Sequence, residues 1–385
     1  MIEGKFAAKW ERMGKMAKKS GFPAGRREMK LKNMKIVIWH TLSLSRVTIV
    51  FSKTFSSNRQ HFGGHTLAQL LAQPTPLCRK RSKNIFVQCA VGLWYLHRTG
   101  IIHGGMHPGN VVIANNKNKN NEETILLIKG DQDVRYEAAE HGRKESDIFA
   151  LGCTLHVMMH GKHPFGRDRE SIAGNIRCGS AKELEIEGSS FILVNQMLDH
   201  QPSRRIKAEE VVDHYFCWTR SRAQAFLTSA NSVCGKIAPG SDLEAEMNAC
   251  HSLVIGCGDW RRKVSNNKQT TMTTTLDSFN RNNTVGLLNA VVTSVNADKT
   301  EDKDCALEFW TDSFPFLLPF VFGVLERVKN ENPSLRPFYT AKGMKSEALS
   351  VPKVILGTDF CVAKSNLKTR PKTFSRRRPK LRIAF

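Results

Sequence analysis

The chain is short of acid. Its 385 residues carry 58 Lys and Arg against 35 Asp and Glu, a formal net charge of +23. An excess of that size favours nucleic acid or an acidic membrane surface as a partner, and much of it is expected in solvated ends. No Cys-x-x-Cys occurs among the ten cysteines, and their spacing has no pairing rhythm. That argues against a structural zinc site and for a reduced cytosolic or nuclear compartment, with cysteine acting as a small core residue. Long apolar runs are missing too. The longest, Phe314 to Leu325, is well short of the ~20 residues of a spanning helix. Pro315 and Pro319 interrupt it, so no membrane span is expected in this chain. Met1-Ile2-Glu3-Gly4-Lys5 has no apolar stretch behind its charges and does not read as a signal peptide. There is no internal repeat. The length and a hydrophobic content of 41% suit two or three domains, each with a full core.

The most informative stretch runs from Asn84 to Asn110. Ile85, Cys89, Leu93 and Leu96 fall on one face of a helix, and Gly100 is placed to stop it. Beyond Ile101 and Ile102 comes His103-Gly104-Gly105-Met106-His107-Pro108-Gly109-Asn110, then the short strand Val111-Val112-Ile113. A helix, a glycine stop and a His-x-x-x-x-Pro-x-Asn loop resemble the catalytic loop of protein kinases, His-Arg-Asp-Leu-Lys-Pro-x-Asn. In kinases the Asp of that loop takes the substrate hydroxyl proton and the Asn holds magnesium. Here the Arg-Asp pair is Gly104-Gly105 and the Lys is His107, so the base position, Gly105, has no carboxylate.

Further matches follow in kinase order. Phe6-Ala7-Ala8-Lys9 resembles the strand whose Lys neutralises nucleotide phosphates, with Glu28 as a candidate ion-pair partner; a basic strand end and a solvated acid are the alternatives. Only eight residues precede Lys9, too few for a glycine-rich phosphate loop, so the expectation is either a cut-down lobe or a fragment of a longer gene product. Ile36 to Trp39 and Val47 to Phe51 read as strands of a small lobe. His65 to Leu71 resembles the short helix after a kinase hinge. The Asn- and Lys-only run from Asn115 to Asn121 reads as a hairpin tip. A strand at Ile125 to Ile128 then leads to Asp131, the best match to the magnesium-binding Asp, though the register allows a slip of one residue. Ala138-Ala139-Glu140 resembles the end of an activation segment, and so few residues precede it that no peptide-seating segment fits. Ser146 to Cys153 resembles the central buried helix of the large lobe, where the resemblance implies that Asp147 pins the catalytic loop by backbone hydrogen bonds. Arg205 matches the Arg that pairs with the position of Glu140.

After Trp218 the chain passes without a linker into another helical pattern. Ala225-Phe226-Leu227, Gly258-Asp259-Trp260-Arg261, Asn283 to Leu288, Phe314 to Leu318 and Arg336 to Tyr339 resemble a family that fuses a kinase or pseudokinase to a helical ribonuclease module, the KEN domain. It includes the inositol-requiring kinase/endoribonuclease of the unfolded protein response and the 2-5A-dependent ribonuclease. The resemblance implies metal-independent RNA cleavage by a Tyr, an Arg-Asn pair and a His. Here the Tyr position falls on Phe279 or Asn280, the pair within Val292, Thr293 and Ser294, and the His on Asn296 or Ala297. No His occurs from residue 252 onward. The helix from Leu287 to Val295 then reads as ordinary core packing. Residues 341–385, basic with Pro and Ser between, read as a disordered arm that offers phosphate contacts or a nuclear address, or as a merely solvated tail.

The expected fold is α+β: a two-lobed protein-kinase-like fold with a truncated N-lobe (1–65) and a C-lobe (66–218), an all-α KEN domain (219–340) and a disordered basic tail (341–385). The expected cofactor site is Lys9, Asn110 and Asp131 gripping ATP and Mg2+ weakly, with Asn110 and Asp131 on the metal; the KEN module requires no cofactor. Expected partners are a second copy or an active paralogue in a dimer, and RNA through the basic surface and tail. The expected location is cytoplasmic, at the cytosolic face of the endoplasmic reticulum by family, with the nucleus as an alternative from the tail.

Overall fold

The computed structural model describes residues 36–42, 45–51, 64–115, 123–129, 131–181, 184, 188–249, 251–256, 258–265, 279–297 and 303–339. Lys9, Glu28, residues 116–121 and the basic tail lie outside the described residues.

Five strands make one sheet: β1 (Ile36–Leu42), β2 (Ser45–Phe51), β3 (His65–Thr66), β4 (Val111–Asn115) and β5 (Glu123–Lys129), in the order β1-β2-β5-β4-β3. The β4–β5 pair is the expected hairpin, antiparallel with Val111 opposite Leu127. Both strands expected in the small lobe are present. They do not form a sheet of their own, because β2 runs parallel to β5 with Val47 opposite Ile125 and Phe51 opposite Lys129. The physical reason is an open edge. Without β2, one side of β5 would present a row of unpaired backbone groups, and β-branched Val47 to Val50 is well suited to fill it.

Six helices of the first part follow: α1 (Leu67–Leu71), α2 (Arg79–Arg98), α3 (Lys144–His160), α4 (Arg169–Cys178), α5 (Gly188–Met197) and α6 (Ala208–Asp213). A capping box starts α1, with Thr66 Oγ1 accepting from Gln69 N and Gln69 Oε1 accepting from Thr66 N. On α2 the predicted stripe of Ile85, Cys89, Leu93 and Leu96 is wholly buried. The helix ends as its glycine requires: Gly100 has φ 77°, its N–H donates to His97 O, and Ile101 N–H donates to Leu96 O. This is the paired bonding of a left-handed glycine cap, which a side chain with a Cβ fits poorly. Helix α3 is buried on nearly all sides from Asp147 to Leu155, as a central core helix must be.

The second part holds α7 (Arg220–Cys234), α8 (Asp242–Ala249), α9 (His251–Val254), α10 (Arg261–Ser265), α11 (Thr284–Ala297), α12 (Lys303–Ser313) and α13 (Leu317–Leu325), with no strand among its described residues. It has its own core, built around Trp260, Trp310, Phe226, Phe314 and Phe322. The two cores meet at the turn after α6. Phe216 and Cys217 of that turn belong to the first core and Tyr215 and Trp218 to the second, in which Trp218 packs edge-on against Phe226 at 5.4 Å and Phe322 at 5.5 Å and Tyr215 lies 5.3 Å from Phe322. Lys83 of α2 donates to the Trp218 carbonyl at 2.9 Å, and Arg79 pairs with Asp312 of α12 at 3.0 Å. Among the described residues no helix is long and apolar enough to cross a membrane.

Candidate functional site

The loop after Gly100 owes its shape to a side chain on another element. Asp147 of α3 is buried, and its two oxygens accept from three donors: His103 N and Gly104 N, and His97 Nε2, each at 2.8 Å. A carboxylate with two backbone partners and a ring partner meets the hydrogen-bonding demand of burial. This is the pinning role the resemblance implied. His97 was not singled out by the sequence reading; the His-Arg-Thr-Gly that ends α2 carries no sign of what its ring will touch.

At the far end of the loop, Asn110 is buried. Its amide Nδ2 donates to Gly105 O at 2.7 Å and to Asp131 O at 2.9 Å. Two of the three predicted site residues, Asn110 and Asp131, are therefore brought together, while Lys9 lies outside the described residues. The contact uses the Asp131 backbone; its carboxylate is on an exposed residue. His107, standing where kinases have Lys, reaches the same carbonyl with Nε2 at 2.8 Å, and its Nδ1 accepts from Gly109 N at 3.1 Å. A carbonyl only accepts and a backbone N–H only donates, so these partners select the neutral imidazole with its proton on Nε2.

The base position is empty of chemistry but not of room. A Cβ on Gly105 would meet Asn110 Nδ2 at 3.5 Å and Asp131 O at 3.9 Å, ordinary contacts. Gly104 differs: its φ is +66°, in the left-handed region that side chains rarely adopt. The Glu140–Arg205 ion pair forms as the resemblance implied. Arg205 Nη1 and Nη2 each bond one oxygen of Glu140, and the guanidinium lies 4.9 Å from the Phe149 ring centre.

The donor set fits a magnesium ion only in part. Asn110 Oδ1 and the Asp131 carboxylate are one amide oxygen and one carboxylate, and among the described residues no group of three His, Cys, Asp or Glu is gathered for a metal. Magnesium is commonly held by one or two carboxylates together with nucleotide phosphates. The two residues suit an ion arriving on a nucleotide, not one held by protein alone.

Beside this loop is a cleft of about 320 Å³, lined by His107, Gln132, Asp133, Arg135, Arg167 and Arg169. Arg135 clasps Asp133 in a bidentate pair, Nε to Oδ1 at 3.0 Å and Nη2 to Oδ2 at 2.6 Å. Burial pushes the Asp133 carboxyl up, but the Arg135 hydrogen bonds outweigh it and hold the group below the usual carboxylate range. Gln132 and Asp133 adjoin the Asp131 match, while Arg135, Arg167 and Arg169 were not flagged from the sequence, because they come from segments more than thirty residues apart.

The positions that the resemblance matched to a nuclease lie on and before α11. Phe279 is half-buried against the second core. Asn280 is exposed, its carbonyl accepting from Trp260 Nε1 at 2.9 Å. Val292 is in the core, Thr293 is exposed, and buried Ser294 accepts the Trp310 indole N–H at 2.9 Å. Asn296 and Ala297 are exposed, and Asn296 Oδ1 accepts from Gln224 at 3.3 Å. No phenol, guanidinium or imidazole stands at any of these positions.

No protein-family model matches the chain. Curated relatives do. It is 29% identical over 205 residues to the "Probable serine/threonine-protein kinase ireA" of Dictyostelium discoideum, covering 48% of this chain and 20% of that protein. It is 26% identical over 212 residues to the "Serine/threonine-protein kinase/endoribonuclease ire-1" of Caenorhabditis elegans, 47% of this chain and 22% of that one. It is 28% identical over 227 residues to the "Serine/threonine-protein kinase/endoribonuclease IRE1a" of Arabidopsis thaliana, 52% and 26% respectively. The matches thus span about a fifth to a quarter of these relatives' length. Over about half its length the chain is thus similar to IRE1-like serine/threonine kinases and kinase/endoribonucleases, and the loop hung from Asp147 is kinase-like.

Proposed function

We propose that this chain is a non-catalytic member of that family: a pseudokinase body joined to a KEN-type module with impaired ribonuclease activity, acting through nucleotide or partner binding and dimerisation in unfolded-protein-response RNA processing. The observation that carries the reading is Gly105. The loop around it keeps its hydrogen bonds to Asp147 and Asn110, yet no carboxylate is there to accept a hydroxyl proton, and loss of such a base lowers phosphoryl transfer by roughly 10²–10⁴-fold. The absence of Tyr, Arg and His equivalents on and before α11 argues the same for RNA cleavage, which needs a base, an acid and a cation about the phosphate.

A second reading is favoured by Asn110 and Asp131, which stay adjacent as a magnesium-binding pair would. On that reading the chain is an active serine/threonine kinase and endoribonuclease with ATP-promoted dimerisation. Radiometric peptide phosphorylation and stem-loop RNA cleavage separate the two. The first reading expects no measurable phosphorylation and RNA cleavage far below that of an active relative; rates comparable to the relative would overturn it. Thermal-shift titration with ATP and magnesium tests nucleotide binding, and no shift at millimolar nucleotide would end that part of the proposal.

A further inference from the structure

We infer that His107 is the positioning residue of the nucleotide site. Its ring, folded back across Gly109, holds the Asp131 peptide group against Asn110 and so sets where the Asp131 carboxylate meets a nucleotide-borne magnesium ion. This deepens the nucleotide-binding part of the proposed function and rests on it.

The Asp131 carbonyl is held by two donors. His107 Nε2 donates to it at 2.8 Å and Asn110 Nδ2 at 2.9 Å. A carbonyl oxygen has two lone pairs, so both are taken and the peptide plane after Asp131 is fixed. Asn110 spends its second amide hydrogen on Gly105 O at 2.7 Å. With both hydrogens of Nδ2 committed to carbonyls, Oδ1 is the atom Asn110 has to offer a cation. Asp131 itself is exposed. Its backbone is therefore what the protein can set in advance, and a ligand group set in advance loses less entropy on binding.

The local sequence suits the ring to this task. His107 Nδ1 accepts from Gly109 N at 3.1 Å, and Pro108 between them opens the turn that ends at Asn110. A Cβ on Gly109 would lie 2.7 Å from His107 Cε1 and 3.0 Å from Nδ1, so the ring can lie there because residue 109 is glycine. The buried Tyr136 ring is 6.1 Å away, centre to centre. His107 thus does two things: it caps the turn with Nδ1 and holds Asp131 with Nε2.

Two variants separate these roles. In His107→Asn the amide oxygen stands in for Nδ1, but the side chain is too short to reach Asp131. In His107→Gln the amide N–H stands in for Nε2 and the cap is given up. Thermal-shift titration of the full chain with ATP, in magnesium and in EDTA, reads the affinity. His107→Asn is expected to weaken binding about fivefold in magnesium and to leave it unchanged in EDTA, while His107→Gln keeps the parent affinity. Gly109→Ala pushes the ring off the carbonyl with His107 still in place. It is expected to match His107→Asn, and His107→Asn/Gly109→Ala to lose no more than either alone. Circular dichroism confirms that each variant is folded. Parent affinity in His107→Asn, an equal loss in EDTA, or a loss in His107→Gln as large as in His107→Asn overturns the proposal and leaves nucleotide binding standing. No shift of the parent at millimolar ATP ends the nucleotide reading and the proposal with it.

Discussion

Asp147 is the residue on which the loop depends most. Asp147→Ala strands two backbone N–H groups and the His97 ring, so the expected destabilisation is about 3 kcal/mol, read from urea unfolding. The neighbouring glycines are expected to differ. Gly105→Asp meets only ordinary contacts and should stay within about 1 kcal/mol of the parent, whereas Gly104→Arg places a side chain at φ +66° and should cost about 1–2 kcal/mol; thermal melting distinguishes them. Two histidines set a pH dependence. Burial lowers His214 from 6.5 to about 3 and His163 from 6.5 to about 4. The unfolded chain therefore takes up protons near pH 6.5 that the folded chain refuses. Stability falls as pH drops from about 6.5 toward these folded values, by up to ~1.4 kcal/mol per pH unit for each group. His214→Asn keeps an acceptor for Phe216 N and should flatten the dependence of the urea midpoint on pH by about one proton.

At the level of single elements, α11 shows what replaced the expected nuclease positions. Val292 is core and Ser294 serves the Trp310 indole, so the helix is tied by packing and one buried hydrogen bond. Val292→Arg, which would reinstate a cation where the family has one, buries an unpaired charge and is expected to destabilise by about 3 kcal/mol or more, with no gain in RNA cleavage. Melting and a stem-loop cleavage assay check both halves. Legibility from sequence also divides at this scale. Helix α2 and its glycine stop could be read from Ile85, Cys89, Leu93, Leu96 and Gly100, because helix periodicity and caps are local. Asp147, Glu140 and Arg205 came through resemblance, since nothing local says which distant groups a buried charge will meet. The β2–β5 pairing was not legible: any β-branched strand can cover an open edge, and the choice is made by the rest of the fold. Nor was the hold of Asn110 and His107 on the Asp131 carbonyl, because a backbone acceptor has no letter in the sequence.

For the whole molecule, the join between the two cores is mostly apolar. Phe322 is fully buried in the second core, where it touches Tyr215 and Trp218 from the turn after α6 as well as Phe226 and Tyr339. Phe322→Ala is expected to cost about 3–5 kcal/mol, read from urea unfolding. The exposed pairs Arg79–Asp312 and Lys80–Glu308 should matter little, and Arg79→Ala/Lys80→Ala is expected to cost under about 1 kcal/mol.

Hanging the loop from a carboxylate on α3 has a lineage-scale consequence. The backbone keeps its course whatever side chains it displays, so reactive groups along it can be discarded one by one without unfolding the protein. A descendant that has stopped catalysing thereby retains an intact surface on which selection can build a different occupation.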